Sequence, residues 1–408
     1  MHSLVYNYRT ALWICGEIGM VSPQKTVNIL GSTGSIGTNA LAVIGLHPES
    51  YKVRVLTAHS NGPLLVAQAQ TFRPQRVVIG QEHQYQMVKE ALASLQIDVC
   101  AGEEALCEAA ALPADVSVIA ISGLAALRPT WHALTGSRQL ALANKESIVS
   151  AGRLLMKQAE NQGVQIVPVD SEHSGLFQLL QGRARSEISR CVLTASGGPF
   201  RGKTQEELAH VSVADALKHP TWRMGVKNTI DSATLVNKGL ELIEASVLFD
   251  LTAEQLDAWV HPQSIVHGVL ELCDGTLLMQ ASRPDMRSAI GYGLSFPDRH
   301  HDIVQPLDNI MLSTLSFEDV DHIVFPAIRV AKSCLKQGAW ACIAFNASNE
   351  MAVNAFVDGR ISFLDVLSVV QETLTHVMSH QLVTIEEVFA YEALVREKVE
   401  SVLQKFID

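Results

Sequence analysis

A short apolar run, Thr26–Leu30, leads straight into Gly31-Ser-Thr-Gly34-Ser-Ile-Gly37, and a helical pattern follows over Thr38–Leu46. No other stretch restricts the fold as much. A strand that enters a glycine turn and leaves as a helix is the local context of a dinucleotide fingerprint. Glycine lets the backbone approach a pyrophosphate, and the helix start offers free amide donors. The spacing is G-x-x-G-x-x-G rather than the commoner G-x-G-x-x-G, so a tight turn of purely structural purpose stays open as the other reading. Further strand patterns recur at Lys52–Leu56, Arg76–Ile79, Val116–Ile121, Gln139–Ala143 and Val164–Val169, with helical patterns alternating between them. Such alternation predicts an α/β fold: a parallel, Rossmann-like sheet with helices on both faces.

Several polar clusters sit at the carboxyl ends of these strands, and that edge is where open parallel sheets bind ligands. The second strand ends Thr57-Ala58-His59-Ser60-Asn61, without the carboxylate that an NAD site places about 20 residues after its glycines. A carboxylate repels a 2′-phosphate and these groups can donate to one, which favours NADP. Another cluster is Asn144-Lys145-Glu146, and a third is Asp170-Ser171-Glu172. Asp170 and Glu172 point to the same side if the strand conformation persists there. A divalent ion would offset their repulsion, and oxygen ligands suit Mg²⁺ or Mn²⁺. Equally, acidic residues are favoured at a helix start by its dipole. His173 reads as a packing neighbour rather than a ligand.

The stretch Asp231–Glu241, D-S-A-T-L-V-N-K-G-L-E, reads as a helix with Ser232 as its N-cap. At about 100° per residue, Asn237, Lys238 and Glu241 share a face, whereas Leu240, Ile243 and Val247 face the core. The start of such a helix suits an anion such as phosphate. Lys238 adds charge and Glu241 suits a hard metal ion. The plainer alternative is an amphipathic helix with a surface Lys238–Glu241 pair.

After a strand at Arg190–Thr194, the segment from Ser196-Gly-Gly-Pro-Phe200 to about Val226 has weak periodicity and carries His219-Pro220, Trp222, Met224 and Gly225. That is the profile of a closing lid. His261–Leu272 and Thr276–Ser282 flank Cys273-Asp274-Gly275, a hairpin signal. Pro284–Gln305 reads as a crossing segment. From Phe325 the pattern is helical: about 327–337, 343–357, 361–378 and 385–406, a small C-terminal bundle. His376 and His380 lie four apart without a third ligand nearby, so no metal is assigned to them.

The chain has 408 residues, 48% hydrophobic, enough for two or three domains. Its net charge of −11 and the lack of a basic tract argue against nucleic-acid binding. No apolar run reaches the roughly 18 residues that a membrane span needs. Seven cysteines without C-x-x-C spacing read as reduced thiols of a cytoplasmic protein. Residues 1–24 read as an extension without fold, with Met20 as an alternative start.

Seven motifs taken together resemble the 1-deoxy-D-xylulose 5-phosphate reductoisomerases. They are G-S-T-G-S-I-G at 31–37, L-A-N-K-E-S at 142–147, P-V-D-S-E-H at 168–173, S-G-G-P-F at 196–200, H-P-T-W-R-M-G at 219–225, D-S-A-T-L-V-N-K-G-L-E at 231–241 and H-P-Q-S-I-V-H at 261–267. The resemblance implies a homodimer with an NADPH domain (25–163), a central α/β catalytic domain (164–295, flap about 197–226), a linker (296–321) and a C-terminal α-helical domain (322–408). It implies a phosphosugar substrate, 1-deoxy-D-xylulose 5-phosphate, rearranged and then reduced to 2-C-methyl-D-erythritol 4-phosphate in non-mevalonate isoprenoid synthesis.

Carried over residue by residue, the cofactor contacts would be Gly31, Thr33, Gly34, Ser35, Ile36, Ser60, Asn61, Asn144, Glu146 and Gly225. Asp170, Glu172 and Glu241 would hold one divalent cation, Mn²⁺ or Mg²⁺. Substrate contacts would come from Lys145, Ser171, Glu172, Ser196, His219, Trp222, Met224, Ser232, Asn237, Lys238 and Glu241, with Lys145, Glu172 and His219 in catalytic roles. His59 departs from the family, where many members carry glycine. Two rival readings remain: an NADP-dependent semialdehyde or homoserine-type dehydrogenase without rearrangement, and a nucleotide-sensing binding protein.

Overall fold

The computed structural model describes residues 24–222 and 224–407. The expected extension, apart from Gln24, lies outside the described residues, as do Cys15 and Met20.

Seven parallel strands form the first sheet: β1 (Lys25–Leu30), β2 (Tyr51–Ala58), β3 (Arg76–Ile79), β4 (Asp98–Ala101), β5 (Ala114–Ile119), β6 (Ser137–Leu142) and β7 (Gln165–Pro168). Their order is β4-β3-β2-β1-β5-β6-β7. The chain winds outward from β1 in one direction and then returns to continue from β5 in the other. Loops leaving β1 and β5 therefore part at the carboxyl edge, which is the crevice where such sheets bind ligands. Strand β4 was absent from the sequence reading; it is four residues long and begins with the exposed Asp98, too short for a periodic signal.

The second sheet has five strands in the order β11-β10-β8-β9-β12, comprising β8 (Ile188–Ala195), β9 (Leu256–Val260), β10 (Val266–Leu272), β11 (Leu277–Ala281) and β12 (Glu318–Asp319). Strands β8 and β9 are parallel, whereas β10 and β11 form an antiparallel hairpin at Asp274-Gly275. The expected single strand His261–Leu272 is corrected: residues 261–265 turn between β9 and β10. Pro262 lacks an amide proton, and Ser264 takes a positive φ of 52°, so the run cannot stay in one ladder.

Four C-terminal helices run over Ala327–Gln337, Ala339–Val357, Asp365–His376 and Ile385–Ile407. Ala339–Val357 is buried on every side over residues 341–349 and packs against the next two helices and against helix Lys145–Gln162 of the first sheet. It thus brings the bundle into contact with the helix that follows β6. Within Pro284–Gln305 a further helix, Met286–Ser295, lays Ile290 and Leu294 on the first sheet's other core. Lys25 caps that helix by donating to the carbonyls of Ser295 at 2.8 Å and Phe296 at 3.1 Å.

Candidate active site

The glycine turn is shaped by close approach. Gly31 has φ +93°, and a Cβ there would lie 2.6 Å from the carbonyl oxygen of Ala120, just past β5. The turn therefore packs against the loop leaving β5, at the crevice. Gly34 caps helix Ser35–Leu46 without a side-chain hydrogen bond. Gly34 and Ser35 are exposed, and Thr33 and Ile36 are half-buried. Free amides of a helix start thus face out where a diphosphate would sit. At the end of β2, His59, Ser60 and Asn61 are all exposed. Asn61 caps helix Gly62–Phe72 by accepting from the Leu64 amide at 3.2 Å, and Gln84 donates to the Ser60 carbonyl.

Asn144 starts helix Lys145–Gln162 by accepting from the Ser147 amide at 2.8 Å. Its amide group donates to the carbonyls of Ile121 and Gly123, both at 3.0 Å, and to Glu146 at 2.8 Å. The loops after β5 and β6 are tied together this way beside the glycine turn. The helix begins at Lys145, so Lys145 leaves its first turn and reaches the next cluster.

That cluster joins three parts of the chain. Asp170 and Glu172 flank the start of helix Ser171–Leu180, and Glu241 comes from helix Val236–Phe249. One carboxylate oxygen from each lies within 4.8 Å of the others. Lys145 Nζ lies 2.9 Å from Asp170 and 3.1 Å from Glu241. Lys238 Nζ lies 2.7 Å from Glu172 and also bonds Glu241. Three carboxylates thus face two ammonium groups, and the excess negative charge with three oxygen donors suits a hard divalent cation.

Burial alone would lower the Lys145 pKa, but Asp170 and Glu241 carry it well above its ordinary value. Lys238 is raised in the same way by Glu172 and Glu241 against its burial. For Asp170, burial acts upward and Lys145 outweighs it, leaving the carboxyl below its usual range. Both lysines are therefore fixed as cations.

A second set, Asp170, His173 and Glu244, also brings ligand atoms within 4.8 Å of one another. His173 and Glu244 are fully buried, and burial pushes the Glu244 carboxyl up to about 7. A closed pocket fits a reacting ion poorly, because a catalytic metal needs an open position for substrate. Asp170, Glu172 and Glu241 fit better: Asp170 and Glu172 remain partly exposed. The sequence reading left Glu244 out, although its position three residues after Glu241 puts both on one helix face.

The helix expected over Asp231–Glu241 is two helices, Val226–Ala233 and Val236–Phe249, and Leu235 between them has φ 58°. Ser232 is therefore not an N-cap; it sits in the last turn of the first helix. Asn237, Lys238 and Glu241 do share a face, but Lys238 and Glu241 are buried rather than a surface pair. Asn237 and Lys238 both bond Glu241.

Of Ser196, Ser232, Asn237 and Lys238, the four that the resemblance implies around a phosphate, Asn237 and Lys238 turn to Glu241, and His219, expected in the flap, joins the other two. Ser196, His219 and Ser232 gather: His219 Nε2 is 3.1 Å from each hydroxyl. His219 Nδ1 accepts the amides of Thr221 and Trp222 at 3.1 and 2.8 Å. The neutral ring must then carry its proton on Nε2, facing the hydroxyls, and burial lowers its pKa. Gly198 has φ +66°, and a Cβ would lie 2.7 Å from the Ser232 carbonyl, so Ser196-Gly-Gly can lie against helix Val226–Ala233 only with glycine there. Ser171 donates to Glu172. Trp222 and Met224 are half-buried on the approach to that helix, whose cap is the exposed Gly225. The expected lid contains two one-turn helices, Gln205–Leu208 and Val213–Ala216, each held by a capping box, Thr204 with Glu207 and Ser212 with Asp215. T-x-x-E and S-x-x-D were the signals that could have found them.

Among the described residues no helix is long and apolar enough to cross a membrane. Comparison with known proteins bears on the whole chain. Residues 27–152 match the 1-deoxy-D-xylulose 5-phosphate reductoisomerase family, residues 166–249 its C-terminal domain family and residues 281–398 a further C-terminal domain of the same enzyme. The reductoisomerase of Geotalea daltonii is 44% identical over 384 residues, covering 94% of this chain and 100% of that one. That of Bacteroides fragilis is 44% identical, covering 91% and 96%. A solved Zymomonas mobilis reductoisomerase in complex with NADPH superposes with a TM-score of 0.89 at 40% identity, covering 94% of this chain and 99% of that one. A reductoisomerase solved with NADPH, fosmidomycin and magnesium gives 0.86 at 36%, covering 93% and 98%. On this likeness over nearly its full length, the chain belongs to the 1-deoxy-D-xylulose 5-phosphate reductoisomerase family.

Proposed function

We propose that this protein converts 1-deoxy-D-xylulose 5-phosphate to 2-C-methyl-D-erythritol 4-phosphate with NADPH. The carrying observation is the meeting of Asp170, Glu172 and Glu241 with Lys145 and Lys238, where Glu241 and Lys238 come from a helix that begins four residues after Ser232. When bound, a divalent cation (Mg²⁺ or Mn²⁺) on the three carboxylates supplies Lewis-acid polarisation of the substrate oxygens, and NADPH on the glycine turn supplies the hydride.

The chain's own residues do the rest. Ser196, Ser232 and the Nε2 proton of His219 donate to the substrate phosphate. Lys145, beside Asp170 and Glu241, donates to the sugar oxygens and compensates charge on them. Ser171 and Asn237 orient the carboxylates. Closure of the segment 197–226 through Trp222 and Met224 excludes water from the rearranging carbon skeleton. Cofactor binding is assigned to 25–163, substrate chemistry to 164–295 and the bundle to 322–408. A cytoplasmic homodimer completes the reading, and Leu277 and Met279, exposed on the outer strand β11, are suited to its interface.

The test is NADPH oxidation with 1-deoxy-D-xylulose 5-phosphate, with and without a chelator. Turnover should need both the ketose phosphate and a free divalent cation. Full activity in chelator, or activity only with a semialdehyde, would instead favour a dehydrogenase without rearrangement.

A further inference from the structure

Helix Val226–Ala233 carries a buried acid next to Ser232. Asp231 is fully buried, and its two oxygens take different partners: Lys227 Nζ at 2.7 Å and Asn349 Nδ2 at 2.7 Å. Asn349 belongs to helix Ala339–Val357 of the bundle and is fully buried there; its Nδ2 is held by Asp231 while its Oδ1 has no hydrogen-bond partner among the described residues, and a buried amide is costly unless bonded. Lys227 reaches the other way, to 3.9 Å from Glu146, and is the only cation within 4.0 Å of Glu146 among the described residues. The other Glu146 oxygen is taken by Asn144, which holds the loop after β5.

A chain of charged and polar groups thus runs from Glu146, across a 3.9 Å ion pair, through Lys227 and Asp231 to Asn349 in the C-terminal bundle. Burial opposes the charge on Lys227, but Asp231 and Glu146 more than offset it, so the links are ionic.

We infer that Lys227, Asp231 and Asn349 are positioning residues, which hold Glu146 at the cofactor mouth and Ser232 at the anion cradle in one fixed relation to the bundle. The inference rests on the reading proposed above for Glu146 and Ser232. Among the described residues, Lys227 and Asn349 make no hydrogen bond or ion pair with the three metal-site carboxylates or with Ser196 and His219. Their loss should therefore act on cofactor and phosphate binding together and leave the response to Mg²⁺ unchanged. A residue that only stabilised the fold would lower the melting temperature and the active fraction without moving either binding constant.

The test uses the full chain with Lys227→Met, Lys227→Arg and the milder Asn349→Ala. NADPH affinity is read by fluorescence titration without substrate. The KM for the ketose phosphate and the Mg²⁺ activation constant are read by NADPH oxidation. For Lys227→Met, NADPH affinity should fall and the KM should rise, each about threefold or more, at an unchanged Mg²⁺ constant, and Lys227→Arg should restore most of both. Asn349→Ala should show the same paired change, smaller, and carries the test if Lys227→Met does not fold. Folded variants with wild-type NADPH affinity and KM, or a change in the Mg²⁺ constant alone, would overturn the inference. Absence of turnover in the wild type would overturn the assigned reaction instead, while the NADPH titration would still judge the positioning role.

Discussion

Replacing Glu241 by glutamine keeps the shape of the side chain and removes one charge from the centre of the cluster. Glu241 is 1% exposed and is bonded by Lys145 at 3.1 Å, by Lys238 and by Asn237. At an effective dielectric near 20, unit charges 3.1 Å apart interact by roughly 5 kcal/mol. Removing one partner of a buried pair costs about 3–5 kcal/mol, since the remaining charge stays desolvated. Here Asp170 and Glu172 still face the two ammonium groups, so the lower figure, about 3 kcal/mol, applies. An unfolding entropy of about 2.1 cal/mol/K per residue over 408 residues turns that into a fall of roughly 3–4 °C in the melting temperature.

The metal response should change as well. Three carboxylates against two ammonium groups leave one excess negative charge; with glutamine none is left to attract a dication. Wild-type protein should melt higher with added Mg²⁺, because a ligand that binds only the folded state stabilises it. The variant should lose most of that rise and its Mg²⁺-dependent turnover, while NADPH affinity stays near wild type. Thermal melts with and without Mg²⁺, beside an NADPH titration, decide it. A variant that melts like wild type and keeps the full Mg²⁺ shift would refute the cluster as the ion's seat.

Two further outcomes follow from the histidines. His219→Ala removes a donor to an anion, an interaction worth about 1.5–3 kcal/mol, so the KM for the ketose phosphate should rise roughly 10- to 150-fold; an unchanged KM would place the phosphate elsewhere. Burial pushes His267 down to about 4, so the folded protein binds fewer protons there than the unfolded chain below pH about 6.5. Its stability contribution is full above that pH and is lost towards pH 4, by about 2 kcal/mol between pH 7 and pH 5. His267→Gln should flatten that acid slope in urea unfolding, and equal slopes for both proteins would sink the assignment.

What could be read in advance follows the range of the forces involved. The C-terminal helices stand close to their expected positions, because helical periodicity is written in neighbours three and four apart. Strand β9 was missed although Leu256–Val260 alternates buried and half-buried residues, since five residues give a weak pattern. Ser232 was misplaced as a cap for a sharper reason. A serine ahead of an apolar run is a helix-start signal, yet the left-handed turn at Leu235 is held by packing, not by a glycine or proline that a reader could see.

Local pattern alone determined the parallel alternation, the glycine turn after β1 and the face shared by Asn237, Lys238 and Glu241, because each rests on residues a few positions apart. Nothing local could say that Asp170 and Glu172 would meet a carboxylate some 70 residues downstream. Nor could it say that both lysines would be drawn into that cluster rather than towards Ser196, His219 and Ser232. Those outcomes depend on burial: once helix Val236–Phe249 packs against helix Ser171–Leu180 and helix Lys145–Gln162, desolvated carboxylates must find cations, and Lys145 and Lys238 are the ones within reach.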